Sequence, residues 1–242
     1  MYKRVLLKLS GEAFANKDTG FGIDHAMVKK IAQEIVKAKD ELGTEIAIVC
    51  GGGNIVRGMS WAKKGISRAR ADHMGMLGIV INSLALQDAF ESIDQPARVQ
   101  SAITMTQVAE SYIPLRAIRH MEKGRIVIFA AGTGDPFVTS DTAAALRAAE
   151  MDAEVVIKGT HSGIKGIYDS DPRENPDAKL IEHLTYFDVL QKKLNVMDST
   201  AITFCMDNDL PIIVFDLMGE GNVKRVLNGE KIGTLVSKGT QE

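Results

Sequence analysis

Two runs made only of apolar residues each lead straight into glycine, and few architectures accommodate that pairing. Ile46-Ala47-Ile48-Val49-Cys50 enters Gly51-Gly52-Gly53-Asn54, and Ile126-Val127-Ile128-Phe129-Ala130 enters Ala131-Gly132-Thr133-Gly134-Asp135-Pro136. A strand that is apolar at every position has both faces covered, as in a parallel sheet lying between helices. Bare backbone after such a strand lets phosphate oxygens approach the chain N–H groups, and a following helix adds its positive end. Two such turns suggest two phosphorylated ligands meeting over one sheet, the arrangement that phosphoryl transfer requires. Neither is a P-loop, because G-x-x-x-x-G-K-[ST] is absent, and Val56 breaks a G-x-G-x-x-G pattern in the first.

The rest of the chain alternates in the same way. Val5-Leu6-Leu7 predicts a first strand ending at Lys8-Leu9-Ser10-Gly11. Asp24 is the expected N-cap of a helix with Met27, Ile31, Ile35, Ala38 and Leu42 on one face and Gly43 at its C′ position. A Met-, Leu- and Ile-rich helix is predicted from Ala71 to Ser92, then a strand around Arg98-Val99 and a helix from Pro114 stopping at Gly124. The Arg125–Ala130 strand, a helix over Ser140–Glu150 and a strand over Glu154–Ile157 follow. Gly159 to Lys179 is rich in Gly, Asp, Pro and Ser and reads as loop with a short hairpin. Helices are predicted over Thr185–Lys192 and Ser199–Asn208, then a strand over Pro211–Phe215, a short helix and a last strand over Gly233–Val236. The pattern predicts an α/β three-layer sandwich around a mostly parallel central sheet, with residues 1–242 forming one domain and no internal repeat.

Composition removes several classes of function. A net charge of −2 offers no general attraction to nucleic acid or to an anionic membrane, so any polyanion site must be a local concentration of positive charge. No uncharged apolar stretch is long enough to span a bilayer, and Met1-Tyr2-Lys3-Arg4 enters a strand at once without a signal peptide. Cys50 and Cys205 make no disulfide framework and read as small buried side chains. The expectation is a cytoplasmic protein. His25, His73, His120, His161 and His183 are scattered without metal-ligand spacing, so none is assigned to catalysis or to a metal, and G-x-S-x-G is absent.

Several residues stand where chemistry is expected. Lys8 ends an apolar strand, and ligands of parallel sheets bind outside the carboxyl ends of the strands, so Lys8, Gly52 and Thr133 are expected on one rim. Arg57 follows the triple glycine closely enough to clamp a phosphate. Thr139 and Ser140, with the N–H groups of the following turn, form an anion site, unless Ser140 or Asp141 merely caps the helix. Asp72 is a candidate acceptor for ligand hydroxyls, with helix capping as its plainer role. Lys158, at a strand end, is a second candidate cation.

Together these motifs resemble the bacterial uridylate kinases of the amino acid kinase superfamily, along essentially the whole chain. The resemblance rests on Lys8-Leu9-Ser10-Gly11-Glu12-Ala13, Gly20-Phe21-Gly22-Ile23-Asp24, Gly51-Gly52-Gly53-Asn54-Ile55-Val56-Arg57-Gly58 and Ala71-Asp72-His73-Met74-Gly75-Met76. It continues through Ala131-Gly132-Thr133-Gly134-Asp135-Pro136-Phe137, Thr139-Ser140-Asp141-Thr142, Gly166-Ile167-Tyr168-Asp169-Ser170-Asp171-Pro172 and Val196-Met197-Asp198. It implies an amino acid kinase-like fold, transfer from ATP to UMP giving UDP and ADP in pyrimidine nucleotide synthesis, and Mg²⁺ accompanying ATP. By motif position Lys8, Leu9, Ser10, Gly11, Gly53 and Arg57 hold the ATP phosphates. Lys8 and Asp141 are the expected catalytic residues, Lys8 stabilising charge on the transferring group and Asp141 orienting Lys8 or organising Mg²⁺ and its water. Tyr168 and Asp171, with Thr160 or Ser162, take the adenosine side. Gly52, Asp72, Thr133, Gly134, Asp135, Pro136, Phe137, Val138, Thr139 and Ser140 take UMP. The N-terminal half thus serves UMP and the phosphates, and the C-terminal half mainly ATP.

The resemblance further implies a homohexamer, with GTP as activator and UTP as inhibitor in many members. The loop Lys17, Asp18, Thr19, Gly20, Phe21 and Gly22 matches the region linked to GTP. Two departures stand out. Ile164-Lys165-Gly166 replaces the usual Val-Asp-Gly, and Asp135 replaces a common Asn, its side chain expected to point away from the UMP phosphate.

Overall fold

The computed structural model describes residues 1–56, 65–161, 163–194 and 196–239. In chain order the elements are β1 (Arg4–Leu9), α1 (His25–Leu42), β2 (Glu45–Cys50), α2 (Arg68–Glu91), β3 (Ala97–Ser101), β4 (Glu110–Ser111), α3 (Pro114–Glu122) and β5 (Ile126–Ala130). They continue as α4 (Ser140–Glu150), β6 (Val155–Thr160), β7 (Ile167–Tyr168), β8 (Leu180–Ile181), β9 (His183–Thr185), α5 (Tyr186–Gln191), α6 (Ser199–Asp207), β10 (Ile212–Asp216), α7 (Asn222–Leu227) and β11 (Thr234–Ser237). A 3-10 turn over Gly11–Phe14 follows β1.

Nine strands form one sheet in the order β4-β3-β5-β2-β1-β6-β10-β11-β9, and β7 pairs with β8 in a separate antiparallel ribbon. Every pair from β4 to β10 is parallel; β11 runs antiparallel to β10, and β9 runs with β11. Alternate strand residues face opposite layers. Val5, Leu7, Leu9, Ile46 and Ile48 pack with α1, α2 and α7, whereas Leu6, Ala47, Val49, Val127 and Phe129 pack with α4, α6 and neighbouring helices. The three-layer expectation therefore holds, and the wholly apolar strands are the ones with both faces covered.

Local chemistry accounts for the helix ends. Asp24 caps α1 by accepting from the Met27 N–H at 3.1 Å, and Gly43 closes that helix with φ of 68°. Thr185 and Asp188 form a capping box at α5. The short hairpin expected between Gly159 and Lys179 is found as the β7–β8 ribbon, although β6 runs on to Thr160 and β8 ends at Ile181. α2 begins at Arg68, ahead of the expected Ala71. No described helix is long and apolar enough to cross a membrane.

Candidate functional site

β1 is where the sheet changes direction: its neighbours are β2 on one side and β6 on the other. Lys8 is in register with Lys158 of β6, so both side chains leave the sheet at one level. They share the parity of Leu6 and Val156, which face the layer holding α4. Asp141, in the first turn of α4, meets them both. Its Oδ1 lies 2.7 Å from Lys8 Nζ and its Oδ2 lies 2.9 Å from Lys158 Nζ. Lys158 Nζ also donates to the Val196 carbonyl.

This cluster is poorly hydrated, and Lys8 is only 6% exposed. Burial pushes the Asp141 carboxyl upward, but the Lys8 and Lys158 ammonium groups outweigh it and hold the group at about 2. Lys158 is lowered, chiefly by burial and then by the like charge of Lys8, with Asp141 opposing. Neither Ser140 nor Asp141 caps α4. Thr139 does, its Oγ1 accepting from the Asp141 and Thr142 N–H groups at 3.1 and 3.2 Å. That leaves the Asp141 carboxylate free to serve the lysines.

Two cavities open near these strand ends. A smaller one, about 210 Å³, is lined by Gly52, Gly53, Arg68, Asp72, Ala131, Gly132, Thr133, Val138, Thr139 and Ser140, with apolar residues of α2. A larger one, about 690 Å³, is lined by Lys8, Ser10, Glu12, Lys158, Thr160, Tyr168, Asp171, Lys193 and Val196 among others. Ser140, at the start of α4, lines the smaller cavity, whereas its neighbour Asp141 reaches Lys8 and Lys158 of the larger one. Lys8, Gly52 and Thr133 stand at the carboxyl ends of β1, β2 and β5, but Lys8 lines the larger cavity whereas Gly52 and Thr133 line the smaller.

Other expected residues are placed differently. Gly53, assigned to the ATP phosphates, lines the smaller cavity. The Leu9 side chain is fully buried in the core against α1 and α2. Gly11 abuts the triple glycine, where an added Cβ would lie 2.6 Å from Asn54 Oδ1 and 2.7 Å from the Gly51 carbonyl. Gly52 is a glycine for a packing reason too: a Cβ there would meet the Gly75 carbonyl at 2.7 Å and the Ile79 nitrogen at 2.9 Å, both on α2. Gly134, Asp135, Pro136 and Phe137 lie outside the lining, and Asp135 is exposed. Phe137 is tied in by its N–H, which donates to Asp72 Oδ2 at 2.9 Å. Arg68 Nε holds both oxygens of that carboxylate, at 2.9 and 2.8 Å, and stacks over the Phe137 ring.

On the larger side Asp171 accepts from the Arg173 N–H, Nε and Nη2, and Thr160 Oγ1 lies against the Ile164 and Phe215 carbonyls. Lys165 is exposed and outside the lining. Arg57 and Ser162 fall outside the described residues. The Lys17–Gly22 loop is organised by Asn16, whose Oδ1 accepts from the Asp18 and Thr19 N–H groups, and its end is joined to the glycine cluster through Asn54 and Gly22.

Sequence reasoning missed three supports. Asn82 exchanges hydrogen bonds with Asn54 at 2.7 and 3.0 Å and donates to the Gly51 carbonyl at 2.7 Å, fixing the first glycine turn. A lone asparagine inside an apolar helix was the available signal. Asp198 caps α6 and accepts from Thr139 and Thr142, joining the segment that holds Lys158 to the start of α4. In the sequence it figures only within the Val196-Met197-Asp198 motif, without a role. Arg68 precedes the predicted helix and gave no signal.

The sequence pattern of the Amino acid kinase family matches residues 3–216. Among solved structures, the UMP kinase from Bacillus anthracis is similar at 42% identity and a TM-score of 0.92, over 98% of this chain and 96% of that one. The UMP kinase from Ureaplasma parvum matches at 34% identity and a TM-score of 0.89, over 98% of this chain and 100% of that one. The uridylate kinase from Archaeoglobus fulgidus, at 23% identity and a TM-score of 0.71 over 96% and 99%, shares the fold.

Proposed function

This chain belongs to the amino acid kinase family, and from that premise we propose that it is a UMP kinase, moving the γ-phosphoryl group of ATP onto UMP to give UDP and ADP. The observation that carries the reading is the Asp141 carboxylate clamped between Lys8 and Lys158, which line one cavity, beside Ser140, which lines the other. In this reading UMP occupies the smaller cavity, with Gly52, Asp72 and Thr133 to Ser140, and ATP occupies the larger, with Lys8 to Gly11 at its phosphates and Thr160, Tyr168 and Asp171 at its adenosine. Gly53, beside Gly52 on the smaller side, faces the phosphates from there.

A UMP phosphate oxygen is already nucleophilic, so no strong base is required, and Asp141 with both oxygens engaged by ammonium groups is not one. Positioning and charge neutralisation carry the rate. Asp141 holds the two ammonium groups apart and aimed before substrates arrive. Lys8 Nζ and the glycine-turn N–H groups then meet the negative charge that spreads over the transferring group. Among the described residues no group of three or more His, Cys, Asp or Glu side chains could hold a metal. With Asp141 engaged by lysines and Asp198 by hydroxyls and a backbone N–H, the donor set fits a Mg²⁺ carried on ATP oxygens and water rather than a resident ion. When bound, that ion supplies charge neutralisation on the phosphate oxygens.

The same reading carries finer parts: a cytoplasmic homohexamer serving pyrimidine nucleotide synthesis, activated by GTP through the Lys17–Gly22 loop and inhibited by UTP. Exposed Leu77 and Ile81, one turn apart on α2, supply an apolar face for assembly. The test is coupled measurement of ADP release with UMP, CMP, dUMP, glutamate, aspartate or carbamate, with and without GTP and UTP. Release with UMP is expected; release with a small carboxylate or carbamate but not with UMP would replace the assignment.

A further inference from the structure

The loop between β5 and α4 takes a backbone shape that its own sequence does not favour. Ala131, Gly132, Gly134 and Phe137 have φ of 62°, 62°, 89° and 68°. For alanine and phenylalanine the left-handed region is disfavoured and persists only where the surroundings fix it. The surroundings include one buried group that the transfer mechanism does not use. Arg147, 5% exposed in the last turn of α4, reaches back with Nη2 to the Gly132 carbonyl at 3.4 Å.

That guanidinium is itself held by Glu150 and Tyr112. Its Nη1 pairs with Glu150 Oε2 at 2.7 Å, and its plane lies 3.7 Å over the Tyr112 ring. The Tyr112 hydroxyl donates to the same Glu150 oxygen at 2.5 Å, and its ring meets Phe129 of β5 edge-on at 5.4 Å. A buried ion pair is often replaceable by apolar side chains without loss of stability. What an apolar replacement cannot supply is a directed donor for the carbonyl of a buried, left-handed residue.

We propose that Arg147 is a positioning residue for the acceptor: from the end of α4 it holds Gly132 and so sets Thr133 and the wall beyond it, while the start of the same helix presents Ser140 and Asp141. The inference rests on the reading of the smaller cavity as the UMP side. Lysine cannot substitute, because a point charge cannot stack on Tyr112 and present a planar fork to Glu150 and Gly132 at once.

The test compares Arg147→Lys and Arg147→Met with the unaltered enzyme in steady-state kinetics, thermal melting and hydrogen exchange of residues 131–138. The expected result is a UMP KM raised about tenfold as the competent loop shape loses population, with ATP KM moving less than about twofold and faster exchange over 131–138 but not over α1. An unchanged UMP KM, or equal rises in both KM values alongside a lowered melting point, would overturn the proposal. Should Arg147→Met not fold, Arg147→Lys decides alone. If the unaltered enzyme released no ADP with UMP, the acceptor assignment would fall by itself. Exchange over 131–138 would still decide the brace: faster in Arg147→Lys supports it, unchanged overturns it.

Discussion

Lys8, Lys158 and Asp141 put two positive charges and one negative into a space with little water, leaving a net positive site ready for phosphate. Asp141 is what makes that tolerable before substrates bind. Its carboxyl sits at about 2, against about 3.9 in an unfolded chain. The stabilisation from that difference, about 2–3 kcal/mol, is fully present above pH of about 4 and is lost as pH falls through about 2. Asp141→Asn removes this acid limb and leaves two ammonium groups uncompensated, so stability near neutral pH should drop by about 3 kcal/mol. Thermal melting between pH 2 and 7 checks both parts; an Asn variant that keeps the native slope between pH 4 and 2 would show that other carboxylates govern acid unfolding. Lys8→Ala bears on the reaction itself. It should fold and lose on the order of 10²–10³ in kcat, the cost of one preorganised donor. Near-normal turnover would remove Lys8 from the chemistry. Lys8 could be read in the sequence because an apolar strand led to it, whereas the equal standing of Lys158 depended on strand register, which a sequence states only through pairing.

Strands and helices differ in how openly they announce themselves. β1, β2, β5 and β6 are apolar along most of their length because both faces are covered, and that is visible without coordinates. β4 and β9, two and three residues long, carry no periodicity to detect, and the reversal at β11 is decided by contacts with β10 and β9. The glycine turn after β2 shows a subtler limit. All three glycines looked like phosphate-approach residues, yet their neighbours separate them. Gly52→Ala would push β2's turn off α2 and should lower stability by about 1–3 kcal/mol, with UMP KM rising as the cavity deforms. Among the described residues nothing lies within 4 Å of a Cβ added at Gly53, so Gly53→Ala should change stability by less than about 0.5 kcal/mol and act mainly on substrate KM. Paired melting and kinetic measurements decide; equal destabilisation by both would contradict the packing account of Gly52.

Across the whole molecule the functional consequence lies in how the chain distributes strands around β1. One direction of travel builds β2, β5 and β3 with the smaller cavity at their ends, and the other builds β6 and β10 with the larger one. On the proposed reading the two nucleotides would therefore use different walls, with their phosphates meeting near Lys8. This arrangement makes a prediction that neither half could make alone. Adenosine and uridine joined through their 5′ positions by a polyphosphate chain should be competitive against both ATP and UMP. Linking makes the second nucleotide's binding intramolecular, so the compound should bind at least about 10²-fold more tightly than either nucleotide alone. Lys8→Ala should erode that gain more than it weakens either mononucleotide, because the bridging phosphates are what the ammonium group faces. Inhibition competitive with ATP alone, or affinity no better than that of ATP, would mean that the cavities do not open onto a common line.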